Sequence, residues 1–140
     1  MLKEKKINEY LDEYPVEWAV SMPKGCPPQD VLVPFEHTFF RYAISADSYT
    51  DIDFKSYAEL NMGKDWGELL PLAVGLSVID KEDKARKNLK LPFLKQFKGI
   101  IALSLNPTDG VVKQTGVRKS HFTWWRTTSF DSSNLTMLKL

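Results

Sequence analysis

SHFTWWRTT, residues 120–128, has the clearest strand character of any segment in this chain. Aromatic and β-branched residues favour extended backbone. Side chains alternate along a strand, so one face would carry His121, Thr123, Trp125 and Thr127, and the other Phe122, Trp124, Arg126 and Thr128. We expect the face with Phe122 and Trp124 to pack into the core. The face with His121 would then be open to a ligand. The alternative is that both tryptophans are mainly core and that His121 is a surface residue.

Charge is divided along the chain. Residues 1–83 contain 8 Lys and Arg against 16 Asp and Glu, whereas residues 84–126 contain 10 Lys and Arg against one acid, Asp109. The net charge of +1 therefore combines a part of −8 with a part of +9. A basic surface favours anionic partners. Two arrangements without a ligand give the same pattern. The acidic part lies against the basic part, or the lysines are ordinary solvent-exposed residues of a helix and loops.

Size and composition indicate one globular domain. The 140 residues match the usual size of a single domain, which we expect to span residues 1–140, and 43% hydrophobic residues are enough for a core. No apolar stretch approaches the roughly 20 residues of a membrane span, and no apolar h-region of a secretory signal follows Met1 to Lys6. We therefore expect a cytoplasmic protein without membrane association. Lone Cys26 and the two histidines show no metal-ligand spacing, so neither a metal nor a cofactor is expected.

Hydrophobic spacing and turn residues divide the chain into short elements. We expect helices over 3–14, within 51–63 and after Asp80, the first docked on the body and ended by Pro15. Strands are expected over 34–44, 72–79, 97–105, 111–115 and 120–128, and 106–110 has the turn chemistry of a hairpin. Strands joined by hairpins, with two or three short helices, indicate an α+β fold with a largely antiparallel sheet.

The terminal strand and the basic region together favour an anionic, aromatic ligand. His121 and Thr123 offer hydrogen bonds beside the indole of Trp125, a combination that holds a phosphate while a base stacks. We expect help from four cationic side chains, Arg41, Arg118, Lys119 and Arg126. The expected function is therefore binding of a nucleotide or a single-stranded nucleic acid. His121→Ala and Trp125→Ala should then weaken binding while leaving the melting temperature nearly unchanged.

An enzyme remains an alternative, with His121 as the candidate catalytic residue, because histidine side chains exchange protons near neutral pH. Two-histidine phosphoesterases carry two His-x-Thr/Ser motifs, in which the imidazole and the hydroxyl share a strand face. His121 and Thr123 fit that spacing. The other histidine, His37, is followed directly by Thr38, so its hydroxyl would lie on the opposite face and half of the motif is missing.

Two segments, Phe39-Phe40-Arg41 and Gly75-Leu76-Ser77-Val78, followed by a charged helix with Ala85, resemble the layout of ADP-ribosyltransferases. In that family a first-strand Arg or His and a middle-strand Ser position NAD, and a later acid orients the ribose. The resemblance implies that Arg41 and Ser77 contact a nucleotide. No acid occurs in residues 120–128, where the third member is expected, so the resemblance extends to nucleotide binding more readily than to transfer.

A broader resemblance runs from Cys26-Pro27-Pro28 through Asp53-Phe54-Lys55-Ser56 to Ser120-His121-Phe122-Thr123-Trp124-Trp125. This order of motifs is similar to small uncharacterised bacterial proteins that end in a Ser-His-x-Thr-Trp-Trp signature. It implies one intact domain in a bacterial type of protein and no particular activity. A third class of function, a regulatory subunit that docks a protein partner through its charged surfaces, also remains open.

Overall fold

The computed structural model describes all of residues 1–140 and is built on one eight-stranded sheet. The strands are β1 (Leu2–Lys6), β2 (Asp30–Pro34), β3 (His37–Ala43), β4 (Leu76–Ile79), β5 (Gly99–Leu105), β6 (Gly110–Gln114), β7 (His121–Arg126) and β8 (Thr136–Met137). Their order across the sheet is β1-β2-β6-β7-β4-β3-β5-β8. Every neighbouring pair is antiparallel, which confirms the predicted α+β class with an antiparallel sheet.

The helices are short and number more than the two or three expected. They are α1 (Ile7–Glu13), α2 (Tyr57–Leu60), α3 (Leu70–Ala73) and α4 (Glu82–Asn88), with single 3-10 turns at Asp51–Phe54, Gly67–Leu69, Pro92–Leu94 and Pro107–Asp109. The single helix expected within 51–63 is split in two, because Thr50 and Ser56 each begin a turn with its own capping box. The sheet therefore dominates the fold.

The sheet curls around one core. Leu2 of β1 and Met137 of β8, from opposite edges of the sheet, pack against the same cluster of buried side chains, which includes Phe39, Val78 and Trp124. We call this concave side the inner face. On the outer face α1 covers a second cluster around Val33, Val111 and Trp125, and α4 covers a third around Phe40, Ile79 and Ile100.

Both faces of β7 are buried, which corrects the expectation that one of them is open. β7 lies between β6 and β4 in the middle of the sheet. Trp124 points to the inner face and Trp125 to the outer face, and their exposed fractions are 0% and 1%. Thr123 and Thr127 on the outer face are buried as well. Only His121 and Arg126, at the two ends of the strand, reach solvent in part.

The N-terminal helix begins at Ile7 and not at Lys3. Residues 2–6 form β1, which pairs with β2 along its whole length from Leu2↔Pro34 to Lys6↔Asp30. Tyr10 of α1 is fully buried, and its hydroxyl donates to the Pro107 carbonyl at 2.6 Å. The apolar spacing was therefore a reliable sign of helix from Ile7 onward, while the lysine-rich start belongs to an edge strand.

Two other strand predictions were wrong in part. Residues 70–73 are helical, with Pro71 in the first turn, so β4 begins only at Leu76. The turn at 106–110 is present, but β6 does not return beside β5: it pairs with β2 and β7. None of the helices is both long enough and apolar enough to cross a membrane.

Candidate functional site

A cavity of about 390 Å³ opens on the outer face of the sheet. Its floor comes from β3, β4 and the start of β7, and its walls come from α2, the segment after α4 and the loop between β6 and β7. Four of the eight predicted ligand-binding residues line it: Arg41, Ser77, Arg118 and His121. The sheet thus brings together residues that lie up to 80 positions apart in the sequence.

The other four predicted residues do not line the cavity. Thr123 and Trp125 lie behind Gly75, where a Cβ atom would stand 2.3 Å from Thr123 Cγ2 and 3.3 Å from Trp125 Nε1. The Trp125 indole donates to the Pro71 carbonyl at 3.0 Å. Its ring is packed inside the protein and offers no surface on which a base could stack. Lys119 and Arg126 lie outside the cavity.

Arg41 occupies the gap where β3 and β4 part. β3 and β4 pair only at Phe40 and Ile79, so the Ser77 carbonyl of β4 has no backbone partner in β3. Arg41 Nη1 donates to the Ser77 carbonyl at 2.8 Å, and Nε donates to the Asp53 carbonyl at 2.6 Å. Burial lowers the pKa of Arg41 to about 10. The guanidinium joins the two strands and also places a positive charge in the cavity wall.

A single carboxylate lies near that charge. The one carboxylate among the lining residues belongs to Asp53, which is itself buried. Its two oxygens accept hydrogen bonds from the backbone N–H groups of Ile44 at 3.1 Å and Thr50 at 2.9 Å. Three cations, Arg41, Lys55 and Arg118, therefore face one occupied carboxylate, and the cavity is electropositive.

His121 is held in one orientation at the end of the cavity. Its Nδ1 lies 3.0 Å from the Thr115 carbonyl oxygen and 3.2 Å from the Thr115 hydroxyl, and its Nε2 has no protein partner. The Thr123 hydroxyl lies 2.7 Å from the Thr115 hydroxyl, not beside the imidazole. The His-x-Thr spacing of the sequence therefore produces a linked network, but the threonine hydroxyl is buried and already hydrogen-bonded.

The loop between β6 and β7, residues 115–120, is fastened by Gln114. The side-chain amide of Gln114 donates to the carbonyls of Thr115, Gly116 and Arg118, at 3.0 to 3.3 Å. The backbone N–H of His121 closes the loop by donating to the Arg118 carbonyl at 3.1 Å. Gln114 is thus a positioning residue for the loop that carries Arg118 into the cavity.

Gln114→Leu is expected to loosen this loop without unfolding the protein. Gln114 is exposed, and the loss of its hydrogen bonds should lower the local opening free energy by about 1 kcal/mol, or roughly fivefold in amide hydrogen exchange. Hydrogen exchange read out by mass spectrometry or NMR measures this directly. The amides of β7 provide the internal control and should not change. Equal protection of residues 115–119 in both proteins would contradict a clamping role.

The structure separates the residues of one enzyme alternative and brings together two residues of the other. His37 lies on the inner face beside Phe39, with ring centroids 4.8 Å apart, whereas His121 lies on the outer face opposite Ile79. The sheet separates the two histidines and does not assemble a two-histidine site. Arg41 and Ser77, implied by the ADP-ribosyltransferase resemblance, are direct neighbours. β7 still contributes no acid near them.

Sequence reasoning missed several lining residues. Lys55, Tyr57, Asn88 and Phe93 line the cavity and come from α2, from the end of α4 and from the segments beside them. Lys55 lies in the motif Asp53-Phe54-Lys55-Ser56 quoted above, which implied no role for it, and no pattern marks the other three, because each lies in a short element whose placement depends on the sheet. The one available signal was the excess of basic residues after position 83, to which Arg118 belongs.

Neither a metal centre nor a known relative defines this site. No group of three or more His, Cys, Asp or Glu side chains is arranged to hold a metal ion. Comparison with protein-family models, with curated proteins and with solved structures finds no match to this chain. The lining of the cavity is therefore the remaining guide to the kind of ligand that it fits.

Proposed function

We propose that the protein binds a small anionic nucleotide in the cavity between β3, β4 and the loop 115–120. The observation that carries this proposal is the electropositive lining, in which Arg41, Lys55 and Arg118 meet no free carboxylate. A volume of about 390 Å³ lies within the range of small-ligand sites. An anion would supply the charge that the protein itself leaves unmatched.

The apolar part of the lining supports a flat ring in the same ligand. Six large apolar side chains at the cavity are at least half exposed: Ile44, Ile52, Tyr57, Leu60, Phe93 and Val117. Exposed apolar residues concentrated at one place commonly mark a binding site. Tyr57 and Phe93 offer aromatic faces of the kind that stack a base. In this proposal they take the role that the sequence suggested for Trp125.

Most basic residues at 84–126 form no ion pair within the protein. Three ion pairs are present: Lys5 with Glu13, Lys6 with Asp30, and Arg86 with Glu82 at 2.9 Å. The first two lie within the acidic part of the sequence, and the third is an i,i+4 pair on α4. Of the basic residues at 84–126, only Arg86 forms an ion pair with the acidic part of the sequence, which argues against the explanation that the two parts lie against each other.

The decisive variant is Arg118→Gln. A charge-assisted hydrogen bond to phosphate contributes about 1.5–3 kcal/mol, so we expect at least a tenfold loss of affinity for AMP or GMP. Isothermal titration calorimetry at low and moderate salt measures it, after a thermal-shift screen of mononucleotides, cyclic nucleotides, NAD, ADP-ribose and short single-stranded RNA has chosen the ligand.

Lys119→Gln is the matched control, because Lys119 is adjacent, exposed, equally charged and outside the cavity. It should keep the affinity of the unchanged protein within about twofold, the small effect expected of a screened surface charge. Equal losses in both variants would indicate diffuse surface attraction and would contradict the cavity as the site. Absence of binding to every compound would contradict the proposal as a whole.

An ADP-ribosyltransferase-like reaction is the second candidate, favoured by the contact between Arg41 and Ser77. It requires NAD to be consumed and not only bound. Incubation of concentrated pure protein with NAD, followed by chromatography for released nicotinamide, distinguishes the two. NAD that binds and stays intact leaves a binding domain as the function.

A further inference from the structure

We infer that one end of this cavity, formed by Asn88, Arg118 and His121, is a subsite for a terminal phosphate, that is, a phosphomonoester. The inference rests on the proposed nucleotide function and specifies the ligand further. It separates a nucleoside monophosphate from a cyclic nucleotide or an internal phosphodiester of a nucleic acid. All three side chains line the cavity: Asn88 contacts Arg118, and the backbone N–H of His121 donates to the Arg118 carbonyl.

Asn88 is the most informative member. It is only 8% exposed, yet it lines the cavity at the end of α4. Its Oδ1 accepts a hydrogen bond from Arg118 Nη1 at 3.4 Å, whereas its Nδ2 has no acceptor in the protein. Nδ2 is therefore free to donate. Nδ2 is not sealed inside the protein, so an acceptor on a bound ligand can satisfy it.

Arg118 brings the charge. One of its N–H groups reaches Asn88, and the guanidinium carbon lies 5.8 Å from the centre of the Phe93 ring, which limits where the group can move. It forms no ion pair with any carboxylate. A guanidinium has five donors in a planar fork, a geometry that matches two oxygens of one phosphate. Most of these donors are therefore free for a ligand.

His121 is the third side chain of the proposed subsite. Because Nδ1 is tied to the Thr115 carbonyl, the ring is fixed with Nε2 unpaired. An N–H at Nε2 can donate to a phosphate oxygen. The hydrogen bonds of Gln114 to the same loop hold Arg118 and His121 in register with each other. The subsite is thus preorganised by contacts that do not involve the ligand.

The convergence of these donors favours a terminal group. A phosphomonoester presents three oxygens and close to two negative charges at neutral pH, as many acceptors as there are side chains here. A phosphodiester carries one charge and has two of its oxygens bonded to carbon. In a nucleic acid it must also continue on both sides, and a cavity of about 390 Å³ holds little more than one nucleotide.

The test compares three ligands by calorimetry: a nucleoside 5′-monophosphate, its 3′,5′-cyclic form and the free nucleoside. We expect the monophosphate to bind at least tenfold more tightly than the other two, as one charge-assisted contact implies. Asn88→Asp, which replaces the donor with a carboxylate, should abolish this preference. Asn134→Asp makes the same chemical change at an exposed residue outside the cavity and should retain it.

Arg118→Lys is the second variant, because Arg118 is exposed and its replacement leaves the core intact. Lysine keeps the positive charge but lacks the planar set of donors. The preference for the monophosphate over the cyclic nucleotide should therefore fall at least fivefold, even if Asn88→Asp fails to fold. Equal binding of monophosphate and cyclic nucleotide, or an unchanged preference in the folded variants, would overturn the subsite while leaving nucleotide binding in place. If none of the three ligands binds, the proposed function fails and the subsite with it.

Discussion

Trp125→Ala is expected to lower the free energy of unfolding by about 3–5 kcal/mol, the usual cost of truncating a buried large aromatic residue. The side chain is 1% exposed and packs with Val33, Val74 and Val111 beneath α1. Its indole N–H also loses the Pro71 carbonyl as a partner. Since small domains have a total stability of about 5–15 kcal/mol, the variant should lose much of its resistance to urea. Equilibrium urea denaturation followed by circular dichroism measures the change.

Two controls separate packing from ligand binding. Trp125→Phe keeps most of the ring and removes the hydrogen bond, so its loss of stability should be clearly smaller. Phe93→Ala removes an aromatic ring that is 63% exposed and should cost about 1 kcal/mol or less. A stable Trp125→Ala protein that fails only in ligand binding would restore the stacking face expected from the sequence and contradict the packing described above.

The two tryptophans show why the strand was easier to predict than its environment. Alternation along residues 120–128 correctly assigns Trp124 and Trp125 to opposite faces. It cannot tell that the strand lies in the middle of the sheet, where helices and loops cover the outer face as fully as the core fills the inner one. That coverage comes from α1 and from residues 70–74, which lie far away in the sequence.

The candidate site was predictable only where its chemistry was unusual. The basic region and the terminal strand marked Arg118 and His121, the ADP-ribosyltransferase resemblance marked Arg41 and Ser77, and all four line one cavity. No sequence feature singles out Asn88. It is identified by its burial and by the absence of a protein acceptor for its Nδ2, and both depend on the folded structure. Trp125 shows the converse: its aromatic chemistry suits a core as well as a ligand, and the fold places it in the core.

The order of strands was the least predictable feature. Turn chemistry at 106–110 correctly locates the end of β5 and the start of β6, and Asn106 and Asp109 do form a capping box there. The sequence next to the turn favours a hairpin between β5 and β6. The backbone of Gly110 instead leads β6 into the space between β2 and β7, so that the two strands joined by the turn are not neighbours.

Gly110→Ala is expected to destabilise the protein by about 3–5 kcal/mol, from backbone strain and from a steric clash together. Gly110 has φ 126° and ψ −166°, a region that residues with a Cβ atom rarely adopt. A Cβ at this position would also stand 2.1 Å from the Trp125 carbonyl oxygen and 3.0 Å from Trp124 Nε1. Neither neighbour can move easily, because one is backbone and the other is a buried indole that donates to the Asp109 carbonyl.

Gly63→Ala is the matched control for this substitution. A Cβ on Gly63 would meet no atom within 4 Å, so the change should be neutral or raise stability by about 0.4–1 kcal/mol through the unfolded chain. Urea midpoints of the two variants, measured beside the unchanged protein, give the comparison. Similar midpoints for both would mean that Gly110 is free to relax. A selective loss at Gly110 would instead establish that this residue directs β6 to β7, and so builds the sheet on which the cavity lies.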